Sequence, residues 1–223
     1  MTTATRLAGA LLLAASVAGL ASTGGAQPVT EGWPCIQVLQ PQLSAGAMWT
    51  GPDPAEAAGT WQKVPEVEAL VGRVAPRSVP LEEAEAELRR FAAGIDREQV
   101  PVVLTQVFAG LFETMDDERT EIIRGIRRFH DRQELLAERI EATTGALDRL
   151  DPQPADPETA ERRQDLEAQL AWDARLFDER ERLLPAVCEQ PVIVERRLFA
   201  LARVLMDELA RADAPPADEG QGH

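Results

Sequence analysis

The feature that most constrains this chain is a four-three spacing of mostly apolar residues that begins at Ile122. It passes through Ile126, Phe129, Gln133, Leu136, Ile140, Thr143 and Leu147 and ends at Leu150. Such spacing keeps one narrow stripe on one side of a long helix, and another helix is its natural cover. Gln133 and Thr143 weaken the stripe, and Gly125 and Gly145 lower local helix propensity. The pattern stops at the segment Asp151 to Pro157, where Pro152, Pro154 and Pro157 cannot continue a helix. A return helix is expected from Glu158, with Leu166, Leu170, Phe177 and Leu184 facing the first helix. Asp173 and Arg180 fall in the same seam, and Trp172 and Leu176 beside it offer a rotated contact. Residues 116–187 therefore predict a long antiparallel helical hairpin, each arm about 40 Å at 1.5 Å per residue.

The flanking segments predict shorter helices. Val67, Leu70, Val71 and Val74 recur at helical spacing behind Pro65. Leu81, Ala84, Leu88 and Phe91 form a second stripe, with Pro80 at the first helical position and Gly94 as its stop. Pro101 opens a more apolar helix through Phe112, which reads as the centre of a core. Asp116, Asp117 and Glu118 then mark an expected junction with the hairpin. Pro185 is expected to end the return helix, and Pro191 to restart it toward Val194, Leu198, Leu201, Leu205 and Leu209. The expected fold class is all-α: a small helical bundle built from residues 61–115 and 188–212, carrying the hairpin between them. Residues 213–223, with Pro215 and Pro216, read as a disordered tail.

The N-terminus predicts export. Arg6 precedes an apolar run from Leu7 to Ala21, and small residues lead to Ala26. Residues 1–26 therefore read as a secretory signal cleaved before Gln27, since about fifteen apolar residues are too few for a membrane span. No later run is long enough to span, so the mature chain is expected in the periplasm without an integral membrane segment. Residues 27–60 are rich in proline and glycine and show no helical period. Trp33, Ile36, Leu39, Met48 and Trp49 make this segment too apolar for a solvated tail, so it reads as an irregular strap across the helical body.

Within that strap, Gly32-Trp33-Pro34-Cys35-Ile36-Gln37 and the run from Leu43 to Pro52 carry a resemblance. They resemble the opening of small, uncharacterised exported helical proteins of proteobacteria. The resemblance covers about thirty residues; it implies export and no particular chemistry.

Cys35 and Cys188 are the only cysteines. In an exported chain an isolated pair is expected to form a disulfide, and neither stands in a CxxC motif that would suggest redox catalysis. The formal net charge is −15, and loss of Arg6 with the signal makes it −16. Such a chain repels nucleic acid unless it carries a concentrated basic patch. The densest arginines, Arg127, Arg128 and Arg132, are interleaved with Asp131, Glu134 and Glu138, so no nucleic-acid partner is expected.

Catalytic signatures are absent: no GxSxG elbow, no phosphate-binding loop and no HExxH helix. His130 and Glu134 share a helix face and could form half a metal site, but surface pairing is the simpler reading. No cofactor or metal is assigned, and no catalytic residue. The expected function is that of a structural or accessory protein whose hairpin contacts an envelope partner, basic in character given the acidic exterior. Trp33 and Trp49 in the strap, and Asp151, Gln153 and Asp156 at the hairpin tip, are the candidate interaction residues. The alternative is a small-molecule or metal binder, or less readily an enzyme, with its pocket between strap and bundle.

Overall fold

The computed structural model describes residues 32–215; the expected signal 1–26, the first strap residues 27–31 and the tail residues 216–223 lie outside that range. The described residues contain five α-helices and no strand. Helix α1 is a single turn, Ala45–Met48, and 3₁₀ turns follow at Pro54–Glu56 and Trp61–Lys63. These short pieces punctuate an otherwise extended strap, as its prolines and glycines require.

Helix α2 (Pro65–Val74) begins with proline in its first turn, where the missing N–H costs nothing, and carries Glu66 and Glu68 at its positive end. Val67, Leu70, Val71 and Val74 are all buried. Helix α3 (Leu81–Ala93) starts one residue later than expected, because Pro80 keeps an extended ψ of 139° and serves as N-cap. Gly94 caps its other end.

Helices α4 (Val100–Asp148) and α5 (Pro157–Asp213) contain 49 and 57 residues and pack antiparallel. Their bundle ends, with α2 and α3, enclose a core centred on Phe108, which is fully buried. Trp49 of the strap stacks on Phe108 with ring centroids 4.5 Å apart. Trp61 packs so close to α4 that a Cβ at Gly110 would lie 2.8 Å from its ring and 2.8 Å from Val71. Glycine at position 110 is what admits this tryptophan.

Two expected interruptions are corrected. Helix α4 runs unbroken through Asp116, Asp117 and Glu118. Glu118 faces the α2–α3 connection and pairs with Arg77 at 2.7 Å, so the acidic run sits on a helix side and caps nothing. Helix α5 likewise continues through Pro185 and Pro191. Each proline removes one helical hydrogen bond, but outside contacts hold this stretch in line. Cys188 is bonded to the strap, Gln37 donates its side-chain amide to the Cys188 carbonyl, and Pro191 and Val194 are buried.

Beyond Ile126 the buried residues of α4 are Gln133, Leu136, Thr143 and Leu147. Between Pro157 and Pro185, α5 buries only Asp173. All lie in the seam between the two helices, so the distal hairpin extends from the bundle as a two-helix arm.

Candidate functional site

Two features were expected to carry function, the strap and the arm. The strap is fastened at several points. Cys35 and Cys188 form a disulfide with a Cα–Cα distance of 5.6 Å across a sequence separation of 153 residues. Trp33 donates its indole N–H to the Gln37 carbonyl at 2.8 Å, which curls the chain beside the disulfide. Arg119 of α4, only 2% exposed, donates Nε to Glu195 and Nη2 to the Gln40 carbonyl, both at 2.6 Å. One guanidinium thus ties α4, α5 and the strap together. Farther along, Glu113 accepts from the Gly59 backbone N–H and the Trp61 indole, each at 2.7 Å.

Of the two strap tryptophans singled out by sequence, Trp33 is partly buried beside the disulfide, and Trp49 is 5% exposed and belongs to the core. They do not form one surface. Several hollows lie between strap and bundle, and two of them contain the residues described above or a mainly apolar lining. A cavity of about 110 Å³ is lined by Trp33, Gln37, Leu39, Arg119, Ile123 and Glu195, among others. An apolar cleft of about 370 Å³ is lined by Ala45, Pro54, Ala58, Phe108, Ala109 and Phe112, with Asp53 and Glu113 at its polar margin.

The arm is built differently. Gln133 donates to the Phe177 carbonyl at 3.3 Å and to Glu181 at 3.1 Å. Arg139 reaches across to Asp173 with two hydrogen bonds of 2.7 and 2.6 Å. These contacts fix the register of the antiparallel seam and explain how an aspartate can stand in it. The Arg139 hydrogen bonds hold the Asp173 carboxyl below the usual carboxylate range, against the opposing effect of burial. At the tip, Asp156 is the N-cap of α5 and accepts from the Thr159 N–H at 2.8 Å, which lowers its pKa as well. Asp151 accepts from the Gln153 N–H at 2.9 Å and closes the turn. Asp151, Gln153 and Asp156 are all exposed and lie together at this end.

No protein-family model, curated protein or solved structure matches the chain. The geometry alone must therefore carry the functional reading.

His130 sits 3.5 Å from Glu134 in an (i, i+4) surface pair. Among the described residues no group of three or more His, Cys, Asp or Glu side chains is placed to hold a metal ion. No helix among them is long and apolar enough to cross a membrane. The disulfide is compatible with an oxidising compartment.

Sequence reasoning missed Arg119. The signal was present: the four-three spacing read backward from Ile122 reaches position 119 and then Met115, both buried. An arginine in a seam register is a group that must find buried partners. It also missed two exposed apolar residues of the arm, Leu135 at 63% and Leu183 at 56% exposure, and Trp172, expected as a rotated contact with the first helix, is instead 64% exposed because the seam runs through Asp173 beside it.

Proposed function

We propose that this chain is an exported periplasmic accessory protein that uses its helical arm to contact a protein of the cell envelope. One observation carries the reading: the distal arm packs only against itself, and its length serves no core. Two helices held solely by their own seam cost chain order without adding to the bundle. They present surface far from it, closed by an exposed turn with Asp151, Gln153 and Asp156. The overall excess of acidic residues favours a basic partner at that tip. The disulfide and the arrangement of Arg6 before the Leu7–Ala21 run support export.

The test is site-specific photo-cross-linking in intact cells, with the photoreactive residue at Gln153 or, for comparison, at Ile36 of the strap. A discrete cross-linked envelope protein from Gln153, lost in the Asp151→Lys variant, supports the arm. Cross-linking from the strap position alone, or none from the tip, overturns it.

The apolar cleft of about 370 Å³ supports a second reading, a small apolar ligand held between strap and bundle. Substituting Ala109 with Trp would fill that cleft. Loss of function in a folded Ala109→Trp protein with an unaffected tip variant favours this reading.

A further inference from the structure

The arm joins the bundle at a level where both of its helices are weak. Arg119 bonds to Glu195 and Gln133 to Glu181, and these contacts set the register of α4 against α5. Position 126 lies midway between 119 and 133, and position 188 midway between 181 and 195, so Cys188 stands level with Ile126 and Gly125. Pro185 and Pro191 stand three residues before and three after Cys188, inside α5. They leave the Glu181 and Val187 carbonyls without their helical N–H partners, and a proline in a helix interior is where sharp kinks form. Opposite them, Gly125 brings the low helix propensity of glycine. Packing does not require a glycine there, since a Cβ would meet nothing closer than the Arg128 guanidinium at 3.8 Å. Gly145 is as loosely surrounded, but the Arg139–Asp173 register sets it against position 167, far from either proline.

The strap braces this level from outside. Cys35 is bonded to Cys188, Gln37 donates to the Cys188 carbonyl, and the Gln40 carbonyl accepts from Arg119 on the bundle side. The α2–α3 connection adds one exposed hydrogen bond, from Arg77 to Gln190 at 2.7 Å. Among the described residues, the side-chain hydrogen bonds and ion pairs of residues 127–187 stay within α4, α5 and the turn between them. The brace at Cys188 is thus the last polar hold that a third element has on the arm. From Cys188 back to Pro157 the arm extends about 45 Å, so a bend of about 20° at this level would carry its tip about 15 Å.

We infer that the strap is a redox-sensitive latch on a hinge between arm and bundle. With the Cys35–Cys188 bond closed, the strap holds α5 straight across its two prolines and the arm keeps one direction. Opening is a thiol–disulfide exchange with a dithiol reductant. Cys35 is the point of attack, because it is partly exposed whereas Cys188 is 6% exposed. A thiolate of the reductant bonds to the Cys35 sulfur as the Cys35–Cys188 bond breaks, and Cys188 leaves as a thiolate. The second thiolate of the reductant then attacks the reductant sulfur of the mixed disulfide, and Cys35 leaves. The reductant ends as a disulfide, and its two protons pass to the Cys35 and Cys188 thiols. The strap then keeps only its hydrogen bonds through Gln37 and Arg119 and its packing. Helix α5 bends between Pro185 and Pro191, and α4 follows at Gly125. The inference concerns how the arm is held, so it goes beyond the proposed envelope contact and stands or falls apart from it.

The test places spin labels, carried on p-acetylphenylalanine, at Glu82 of α3 and Ala168 of the arm in the mature protein. Both positions are exposed, and both cysteines stay native. Double electron–electron resonance should give a narrow distance distribution for the disulfide form. Its width should at least double in dithiothreitol, while circular dichroism shows the helix content retained. Cys35→Ser with Cys188→Ser should match the reduced protein without any reductant. Pro185→Ala with Pro191→Ala should return the reduced protein to the narrow distribution, because each alanine restores a helical N–H. Pro185→Ala alone, at an exposed position, should do so in part. Gly125→Ala should also narrow it, and Gly145→Ala should not. A reduced protein as narrow as the oxidised one overturns the inference, and so does an oxidised protein that is already broad. Broadening that the proline variants leave unchanged also overturns it, as does a reduced protein that loses its helices, since the disulfide would then hold the fold at large. Unchanged distances with tip cross-links retained sink the latch and leave the arm reading standing. The expected distances without tip cross-links do the reverse.

Discussion

Arg139 and Asp173 join the two helices of the arm through parallel hydrogen bonds, Nε to Oδ2 at 2.7 Å and Nη2 to Oδ1 at 2.6 Å. The aspartate is 3% exposed and the arginine about half exposed, so the pair is anchored in the seam and opens to solvent on one side. The bonds depress the Asp173 pKa and raise that of Arg139. A depressed carboxylate stabilises fully above its unfolded value, about 3.9, and that contribution is lost as pH falls through the lower folded value. Asp156 at the α5 N-cap titrates in the same direction. The arm should therefore lose helix on acidification below about pH 4, and Asp173→Asn should make that acid limb shallower. Circular dichroism across pH 2–6 checks both.

The seam, rather than the outward faces, should set the arm's stability. Leu136 is 3% exposed, so Leu136→Ala should cost about 2–5 kcal/mol through lost transfer energy and the cavity left behind. Asp151→Lys should cost less, about 0.5–1.5 kcal/mol, because the side chain is exposed and gives up only its hydrogen bond to the Gln153 N–H. Urea denaturation of the two variants measures the contrast. A large effect at Asp151 would mean that the turn is holding the helices together.

The arm was legible because its signal is periodic. Each seam position from Ile122 to Leu150 is buried or partly buried, and so are Leu166, Leu170, Asp173, Phe177, Arg180 and Leu184. The helix ends within α4 and α5 were not legible. Local chemistry at Pro185 and Asp116 argues for a break, but contacts distant in sequence override it: the strap at Cys188 and Arg77 at Glu118. Trp49 illustrates the same limit for the candidate site. A tryptophan among glycine and proline looks available to a partner, yet stacking on Phe108, 59 positions away, places it in the core. Whether an apolar residue packs or presents itself is decided by the fold around it.

Gly110 tests the packing of the strap independently of its covalent staple. A methyl group there would meet the Trp61 ring and Val71 at 2.8 Å, with no flexible side-chain end to move aside. Gly110→Ala gains intrinsic helix propensity of about 1 kcal/mol, but overpacking of this kind costs about 1–3 kcal/mol. The net change should be destabilising, and Trp61→Leu should relieve it in a double-mutant cycle. A stabilised Gly110→Ala protein would show that Trp61 does not occupy this position.

The disulfide should act mainly on the unfolded chain. Closing a loop of this length stabilises by roughly 5 kcal/mol at most on the chain-entropy account. Cys35→Ala with Cys188→Ala should lower the denaturation midpoint accordingly. It should also expose the chain near Pro34 to protease before the bundle opens, since only Gln37, Arg119 and neighbouring packing then hold that end. Limited proteolysis followed by mass analysis reads the order of events. Simultaneous cleavage of strap and bundle would show the strap to be part of one cooperative unit.

Arg197 makes the strongest single demand on the bundle. It is 8% exposed and donates Nη2 to the Val74 carbonyl at 2.8 Å, Nε to Ala75 at 3.1 Å and Nη1 to Val79 at 2.9 Å. These are carbonyls at the C-terminal end of α2 and in the turn that leaves it, where a helix lacks partners and favours a cation. Burial lowers the guanidinium's pKa and the Glu118 carboxylate opposes that effect; a guanidinium nonetheless stays charged at neutral pH. Arg197→Met keeps the stem and removes every donor, leaving three carbonyls to find water or remain unpaired. The loss should be about 3 kcal/mol or more, with no change in size between pH 6 and 9. Arg197→Lys should restore only part of it, because one ammonium cannot reproduce the planar fork that reaches all three carbonyls. Urea denaturation measures the loss, and hydrogen exchange should place it first in the α2–α3 connection, residues 75–80. If Met and Lys variants were equally stable, the three hydrogen bonds would not be what holds α2 to α5.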